Sequence, residues 1–276
     1  MKNKLVSIII PTFNRSDLIT RCIKSVQAQT YKNWELLITD DGSTDSSKEV
    51  IGELSKSDSR IKYFFQENKG IGAARNKAIN NSSSDYIAFL DSDDGWHPEK
   101  LEKQISLLEK HKEFDFCYTA DEIQYLDTGE KEIKRFSGIS SDKLSFLKLA
   151  GVGVSVPSSH VYRRDSFLSV GLFDEDRDLI GLEDDEWSVR GWNLKGCYID
   201  EPLTIYYKHK NQITKGRYLK QLKGKAHIIF KNRKIFLKHK RALLIRCSHL
   251  FYIFLKAIIP TKARSFLHKA ILKLVK

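Results

Sequence analysis

The 276-residue chain has few means of cross-linking itself. Its four cysteines, Cys22, Cys117, Cys197 and Cys247, are widely separated and show no Cys-x-x-Cys spacing. That spacing argues against a zinc ribbon and against a disulfide framework. They read as small apolar residues in a reducing compartment. Long apolar runs are also missing. No stretch reaches the roughly 18 uninterrupted apolar residues of a membrane span. The first apolar stretch, residues 5–10, runs directly into Pro11, which predicts no secretory leader. Internal repeats and low-complexity tracts are absent. Acid is missing from one end: residues 208–276 hold 20 of the 47 Lys and Arg and none of the 35 Asp and Glu. Residues 1–207 are therefore net acidic, although the whole chain is formally +12.

What is present argues for a packed body. Hydrophobic residues make up 41% of the chain and aromatics 11%, too many for a disordered segment. The length suits one large α/β domain with an appendage. Apolar runs at 6–10, 34–39, 61–65 and 85–90 read as strands, the first, second and fourth buried on both faces. Between them, Leu18, Ile19, Cys22, Ile23 and Val26 share a helical face, with Ser16 as its cap. Thr44 can cap a second helix, and a third opens at Gly70. Strands alternating with helices predict a mostly parallel central sheet flanked by helices. From residue 114 the pattern changes: strands are expected over 114–118 and 158–162, a hairpin around Asp127-Thr128-Gly129, a helix from Glu183, and one or two final strands over 198–207.

The chemistry concentrates at strand ends. The run 86–90 stops in Asp91-Ser92-Asp93-Asp94, and the run 34–39 in Asp40-Asp41-Gly42-Ser43. Acids crowded at the end of a buried strand repel one another unless a cation or water relieves them. In open α/β sheets this edge is the ligand crevice. An Asp-x-Asp there proposes a divalent ion, Mn²⁺ or Mg²⁺, bridging carboxylate and phosphate. The bland alternative is a solvated acidic turn. A third acidic cluster, Glu183-Asp184-Asp185-Glu186, opens a helix, where acids are also favoured for structural reasons. Gly70-Ile71-Gly72 touches the dinucleotide fingerprint, but Arg75 stands at its third glycine and the turn follows the third strand, so NAD is not expected. Trp96, Trp187 and Trp192 can stack on sugars, with core packing as the default.

Pro11-Thr12-Phe13-Asn14-Arg15, Asp40-Asp41-Gly42-Ser43-Thr44-Asp45, Asn68-x-Gly70 with Ala74-Arg75-Asn76, Phe89-Leu90-Asp91-Ser92-Asp93-Asp94-x-Trp96 and Glu183-Asp184 occur together in order. The set resembles glycosyltransferase family 2 over about residues 4–210. The resemblance implies a GT-A fold (nucleotide-diphospho-sugar transferase) and a metal-dependent, inverting hexosyltransferase using a nucleotide-sugar, a UDP-sugar by preference. It implies that Pro11, Thr12, Asn14, Asp40, Arg75, Asp91 and Ser92 bind the nucleotide-sugar. Asp93 would hold the metal, and Asp184 would be the catalytic base. Tyr206-Tyr207-Lys208-His209 resembles the late motif whose histidine approaches the metal, so His209 joins Asp93, although Tyr207 stands where the family usually carries arginine. Ser158-Ser159-His160 falls where the family often shapes the acceptor side. The acceptor would be a glycan or polyprenyl-linked oligosaccharide in cell-surface polysaccharide synthesis. Two rivals remain: an inactive nucleotide-sugar- or glycan-binding protein of this fold, and a nucleotidyltransferase, which would need a glycine-rich basic loop that residues 11–15 lack.

These readings divide the chain into a catalytic domain, 1–210, and a basic amphipathic helical extension, 211–276. In residues 217–276 apolar clusters alternate with Lys and Arg, Lys256, Arg264, Lys269 and Lys273 among them. This pattern reads as an interfacial helix on an anionic membrane. The predicted location is cytoplasmic, peripheral at the inner face of the cell membrane. The alternative is a helical appendage packed on the body or on a second subunit of a homo-oligomer. No nucleic-acid motif accompanies the charge, so nucleic acid is not an expected partner.

Overall fold

The computed structural model describes residues 4–152, 155–209 and 218–258. Strand β1 (Val6–Thr12) is buried along its whole length. Ile8 and Ile10 face one hydrophobic cluster, and Ile9 faces another on the opposite side of the sheet. Each such side chain contributes about 1.5–3 kcal/mol by leaving water. Helix α1 (Ile19–Gln27) follows and buries Ile19, Cys22, Ile23 and Val26, the single face expected. It starts after Leu18 rather than at Ser16, whose backbone N–H instead donates to Asp45. Strand β2 (Trp34–Asp40), helix α2 (Ser47–Ser57), strand β3 (Ile61–Phe65), helix α3 (Ile71–Asn80) and strand β4 (Tyr86–Phe89) complete the first half. Helix α2 begins three residues beyond Thr44, whose N–H donates to Asn14 Oδ1 at 2.8 Å.

Here β1 pairs with β2 and β4, and β2 with β3, all in parallel. The chain moves outward from β1 to β3, then crosses back to lay β4 on the other side of β1. The gap between the carboxyl ends of β1 and β4 is thus a topological switch point.

The second half overturns the expected mostly parallel sheet. It contains β5 (Gly95–Trp96), α4 (Lys100–Lys110), β6 (Phe116–Tyr125), β7 (Lys131–Lys134), α5 (Ser141–Ala150), β8 (Val161–Arg163), α6 (Arg164–Val170), α7 (Glu183–Arg190) and β9 (Gly196–Lys208). Four pairings in the sheet are parallel and four antiparallel, the latter being β4–β8, β6–β8, β6–β7 and β5–β9. The sheet is mixed, in the order β3-β2-β1-β4-β8-β6-β9-β5 with β7 on β6. The reason is local. The 3₁₀ turn Pro157–Ser159 feeds β8 between β4 and β6 against both their directions. The three-residue β8 overlaps the strand expected over 158–162, but that run says nothing of its direction or neighbours; the two-residue β5 carries too little periodicity to be read from sequence. Strand β9 runs parallel to β6 with irregular register around Thr119 and Ala120, where Ile199 and Pro202 pair with successive residues and Asp200 and Glu201 bulge into solvent.

Helices α8 (Tyr218–Lys231), α9 (Arg233–Lys238) and α10 (Lys240–Ile258) follow. Their Ile228, Phe236 and Ala242 form one buried cluster with Leu149, Leu179 and Val189 of the body. The predicted boundary at 210/211, and Arg264, Lys269 and Lys273, lie outside the described residues. Among the described residues no helix is long and apolar enough to cross a membrane.

Candidate active site

The carboxyl ends of β1, β2 and β4 meet at the switch point. Thr12 stands opposite Asp40 in register. Pro11 and Thr12 are buried, and Thr12 Oγ1 has no hydrogen-bond partner among the described residues. Asn14 adopts φ 51°, a left-handed conformation that asparagine tolerates, and its Oδ1 holds the Thr44 N–H. Asp40 is fully buried: Oδ1 accepts from the Ser43 N–H at 2.8 Å and Oδ2 from the Tyr63 hydroxyl at 2.9 Å. Sequence reasoning gave no role to its neighbour. Asp41 accepts the backbone N–H groups of Lys69 and Gly70, each at 2.8 Å, and so shapes the turn that opens α3. Gly72 in that turn is required by close packing, since a Cβ there would sit 2.7 Å from the Asp174 carbonyl oxygen.

Arg75 joins two acids of the site. It is 1% exposed and bridges two acids, donating from Nη2 to Asp91 at 2.7 Å and from Nη1 to Glu183 at 2.7 Å. Burial works against its charge, but Asp91, Glu183 and Asp184 outweigh burial and push its pKa up. Arg75 is therefore a strut between the end of β4 and the start of α7.

Beyond Asp91, Ser92 is buried and Asp93 has other partners. Asp93 Oδ2 lies 2.9 Å from His209 Nε2 and 3.7 Å from the Arg15 guanidinium. His209 directly follows β9, so Asp93 and His209 are brought together across 116 residues. Arg21 donates to the Asp93 carbonyl at 3.3 Å and stacks 3.4 Å over the Tyr207 ring, which brings guanidinium charge to the late motif from α1. Asp94 is 1% exposed; burial, then Asp93 and Asp91, raise its pKa well above the carboxylate range. Its Oδ2 accepts from Ser158 Oγ at 2.5 Å, while Oδ1 has no partner among the described residues. The same Ser158 Oγ accepts the Asp91 N–H at 3.0 Å, so Ser158 braces the acidic turn.

The four acids of α7 are not alike. Glu183 is held by Arg75 and by the Gly181 N–H. Asp185 is held by both terminal nitrogens of Arg246, at 2.7 and 3.0 Å. Glu186 is held by Arg190 and Asn232. Asp184 receives no hydrogen bond from a described residue and faces a cavity of about 270 Å³. Burial, then the neighbouring Glu183, push its pKa up to about 7. Phe116, Tyr118, Tyr162 and Trp187 supply aromatic walls, and His160 and Lys148 supply polar ones. Burial, then Lys148, pull His160 down to about 3, and burial pulls Lys148 down to about 7.

The tryptophans pack. Trp96 is buried and donates to the Ser158 carbonyl at 2.7 Å. Trp187 stacks on Phe167 at 4.4 Å, and Trp192 meets His239 of the C-terminal helices. A separate group of possible ligands, Asp176, Asp178 and His227, places three donor atoms within 4.8 Å of one another and could hold a divalent ion; Lys223 already pairs with its Asp178 at 2.9 Å.

In an α/β domain the crevice outside the carboxyl ends of the strands is where ligands bind, and here it holds acids tied by an arginine to a second acidic cluster. The chain belongs to glycosyl transferase family 2, whose family model matches residues 7–171. It is 48% identical over 245 residues to the UDP-Glc:alpha-D-GlcNAc-diphosphoundecaprenol beta-1,3-glucosyltransferase WfgD of Escherichia coli, covering 78% of this chain and 95% of that one. With an uncharacterized glycosyltransferase of Rickettsia conorii it shares 48% identity over 115 residues, 42% of this chain but only 19% of the relative. Several curated relatives are thus far longer than the region they share with it. Among solved structures, Staphylococcus aureus TarS 1–349 with UDP-GlcNAc superposes with TM-score 0.65 at 19% identity, over 81% of this chain and 66% of that one. The mannosyltransferase PcManGT of Pyrobaculum calidifontis, with GDP-Man and Mn²⁺, superposes with TM-score 0.59 at 14% identity, over 98% and 80%. These two likenesses show the fold.

Proposed function

We propose that the chain transfers a hexosyl group from a nucleotide-sugar, a UDP-sugar first among them, to a hydroxyl of a glycan or polyprenyl-linked acceptor in cell-surface polysaccharide synthesis, with inversion. One observation carries the reading. Asp184 is the acid of its cluster left without an arginine, it faces a cavity, and Arg75 ties its helix to Asp91 at the switch point. A carboxylate that titrates near neutral pH is matched to taking a proton from a hydroxyl. The acceptor oxygen attacks the anomeric carbon as Asp184 takes its proton. The bond to the nucleoside diphosphate breaks on the opposite face, and the configuration inverts. Arg75 would act through Asp91 and Glu183, not on the base. Pro11, Thr12, Asn14, Asp40, Asp91 and Ser92 would line the donor site, where Thr12 Oγ1 has no hydrogen-bond partner among the described residues. WfgD supports UDP-glucose as the first donor to try, and a diphosphoundecaprenol-linked sugar as the first acceptor.

Asp93 and His209 would hold the divalent metal, Mn²⁺ or Mg²⁺. Their carboxylate oxygen and imidazole nitrogen already converge at 2.9 Å, a donor set that suits Mn²⁺. PcManGT, of the same fold, was solved with Mn²⁺. When bound, the ion would neutralise charge developing on the departing diphosphate.

Thermal unfolding with UDP, GDP, CDP and dTDP, each with and without Mn²⁺, tests the donor site. At 100 times its dissociation constant a ligand selective for the folded state stabilises by about 2.7 kcal/mol. UDP with Mn²⁺ is expected to give the largest rise, and Asp93→Ala should lose the Mn²⁺-dependent part. If no nucleotide shifts the transition, the donor site does not exist as described. A shift without any turnover of UDP-glucose would favour the inactive binding protein.

A location at the inner face of the membrane is supported by helices α8–α10. They expose Leu219, Phe230, Leu237, Leu244, Phe251 and Phe254 among basic side chains, Leu219 and Phe230 at 72%. A basic, apolar surface of this kind binds anionic lipid. The full chain should sediment with phosphatidylglycerol vesicles at low salt, and Phe230→Ser with Phe251→Ser should release it. A concentration-dependent oligomer that does not bind vesicles would instead make this face a subunit contact.

A further inference from the structure

Arg246 stands outside every motif described above, yet it is 4% exposed and makes four hydrogen bonds. Its Nη1 and Nη2 grip the two oxygens of Asp185 in a fork. Its Nε and Nη2 also donate to the carbonyls of Leu149 and Lys148, at 2.6 and 3.0 Å. Those carbonyls end α5, where a helix leaves acceptors unsatisfied and favours positive charge. Gly151, at φ +69°, lets the guanidinium approach: a Cβ there would stand 3.0 Å from Arg246 Cζ. One side chain of α10 therefore clamps α5 to the first turn of α7.

That first turn has no side-chain cap of its own, since Leu182 occupies the N-cap. Its rotation is fixed from two sides, by Arg75 on Glu183 and by Arg246 on Asp185, with Asp184 between them. We infer that Arg246 is a positioning residue for Asp184, so that the C-terminal helices belong to the active site instead of hanging from it. The inference rests on the reading of Asp184 as the base, and it adds a working part that lies beyond the family-model match.

Electrostatics gives the clamp a distinct signature. On its own helix Asp184 feels Glu183 and Asp185, and it faces Arg75 on α3 and Asp91 after β4. Tyr162 on β8, His160 before it, Lys148 on α5 and Lys225 on α8 approach from the cavity side. Asp185 raises the proton affinity of Asp184, and Arg246 screens Asp185. Lys225, 3.7 Å from Asp185, is too distant to replace the fork. Removing Arg246 should raise the midpoint of Asp184; removing Asp185 should lower it.

The test is a carboxyl titration by NMR of the full chain carrying ¹³Cγ-aspartate, with the Asp184 signal assigned by its loss in Asp184→Asn. The midpoint should rise by about one pH unit in Arg246→Gln, fall by a similar amount in Asp185→Asn, and return near the wild-type value in the double variant. Equal midpoints in all of them would overturn the inference. If Arg246→Gln fails to fold, Asp185→Asn decides alone, and an unmoved midpoint refutes the coupling. Transfer that survives in Asp184→Asn would sink the base assignment and leave the titration readable on its own terms.

Discussion

Asp184→Asn is expected to lower transfer by about 10²–10⁴-fold, the usual contribution of a general base, while donor binding stays near wild type. The amide fills the same space and cannot accept the proton. A variant that loses UDP binding in the same step would place Asp184 in the donor site instead. The wild-type rate should also carry an acidic limb near pH 7, falling about tenfold per unit below it, because only the ionised carboxylate acts as a base. The sign for stability is opposite. The folded-state pKa is raised above its unfolded value of 3.8, so between about pH 4 and 7 the native state binds a proton that the unfolded chain has released. Stability therefore falls as pH rises through that window. Asp184→Asn removes this penalty and should raise the unfolding free energy at pH 8, by about 2–4 kcal/mol at most. Lost activity with gained stability is the pattern expected of a charge kept for chemistry, whereas lost activity with lost stability would mark a packing residue.

The second large effect belongs to Arg75. Arg75→Met should destabilise the fold by about 3–5 kcal/mol at neutral pH, because it removes the partner of two acids, one of them deeply buried. Arg75→Lys should rescue little, since a single ammonium cannot reach both carboxylates in the geometry of a fork. Urea unfolding measures both. A cost below about 1 kcal/mol for Arg75→Met would mean that Glu183 takes up a proton and needs no partner, which would also free Arg75 for a direct role at the nucleotide.

How far the sequence speaks for itself differs between the two halves of the chain. The first half is legible because its physics is local. The buried strands are mostly apolar runs, α1 shows a single apolar face, and the acids stand where β2 and β4 stop. The second half is not. A strand near β8 is announced by its residues, but its direction and its place between β4 and β6 are set by neighbours far away in sequence; β5 is not announced at all, and the mixed sheet follows from them. At the site, residue types were legible and partners were not. Asp93 and His209 could be paired only through a motif resemblance. That Asp41 shapes the Gly70 turn and that Ser158 braces Asp91 and Asp94 depends on hydrogen bonds across 28 to 67 residues. The basic tail read as uniform charge, yet Arg246 is buried and spoken for while its neighbours are exposed. Position in a fold, not composition, separates them.

The bulge in β9 has a consequence of another kind. The residues after it, from Thr204 to Lys208, keep strict register with β6 and deliver His209 to Asp93. Side chains alternate along a strand, so a one-residue change inside that stretch would turn every following side chain to the other face and carry His209 away. Around Asp200 and Glu201 the strand has slack: these residues bulge outward and the ladder resumes beyond them. The strand is therefore a ruler with an expansion joint. Chain length can drift at the joint over evolutionary time, or be edited there by design, without moving the histidine at the ruler's end.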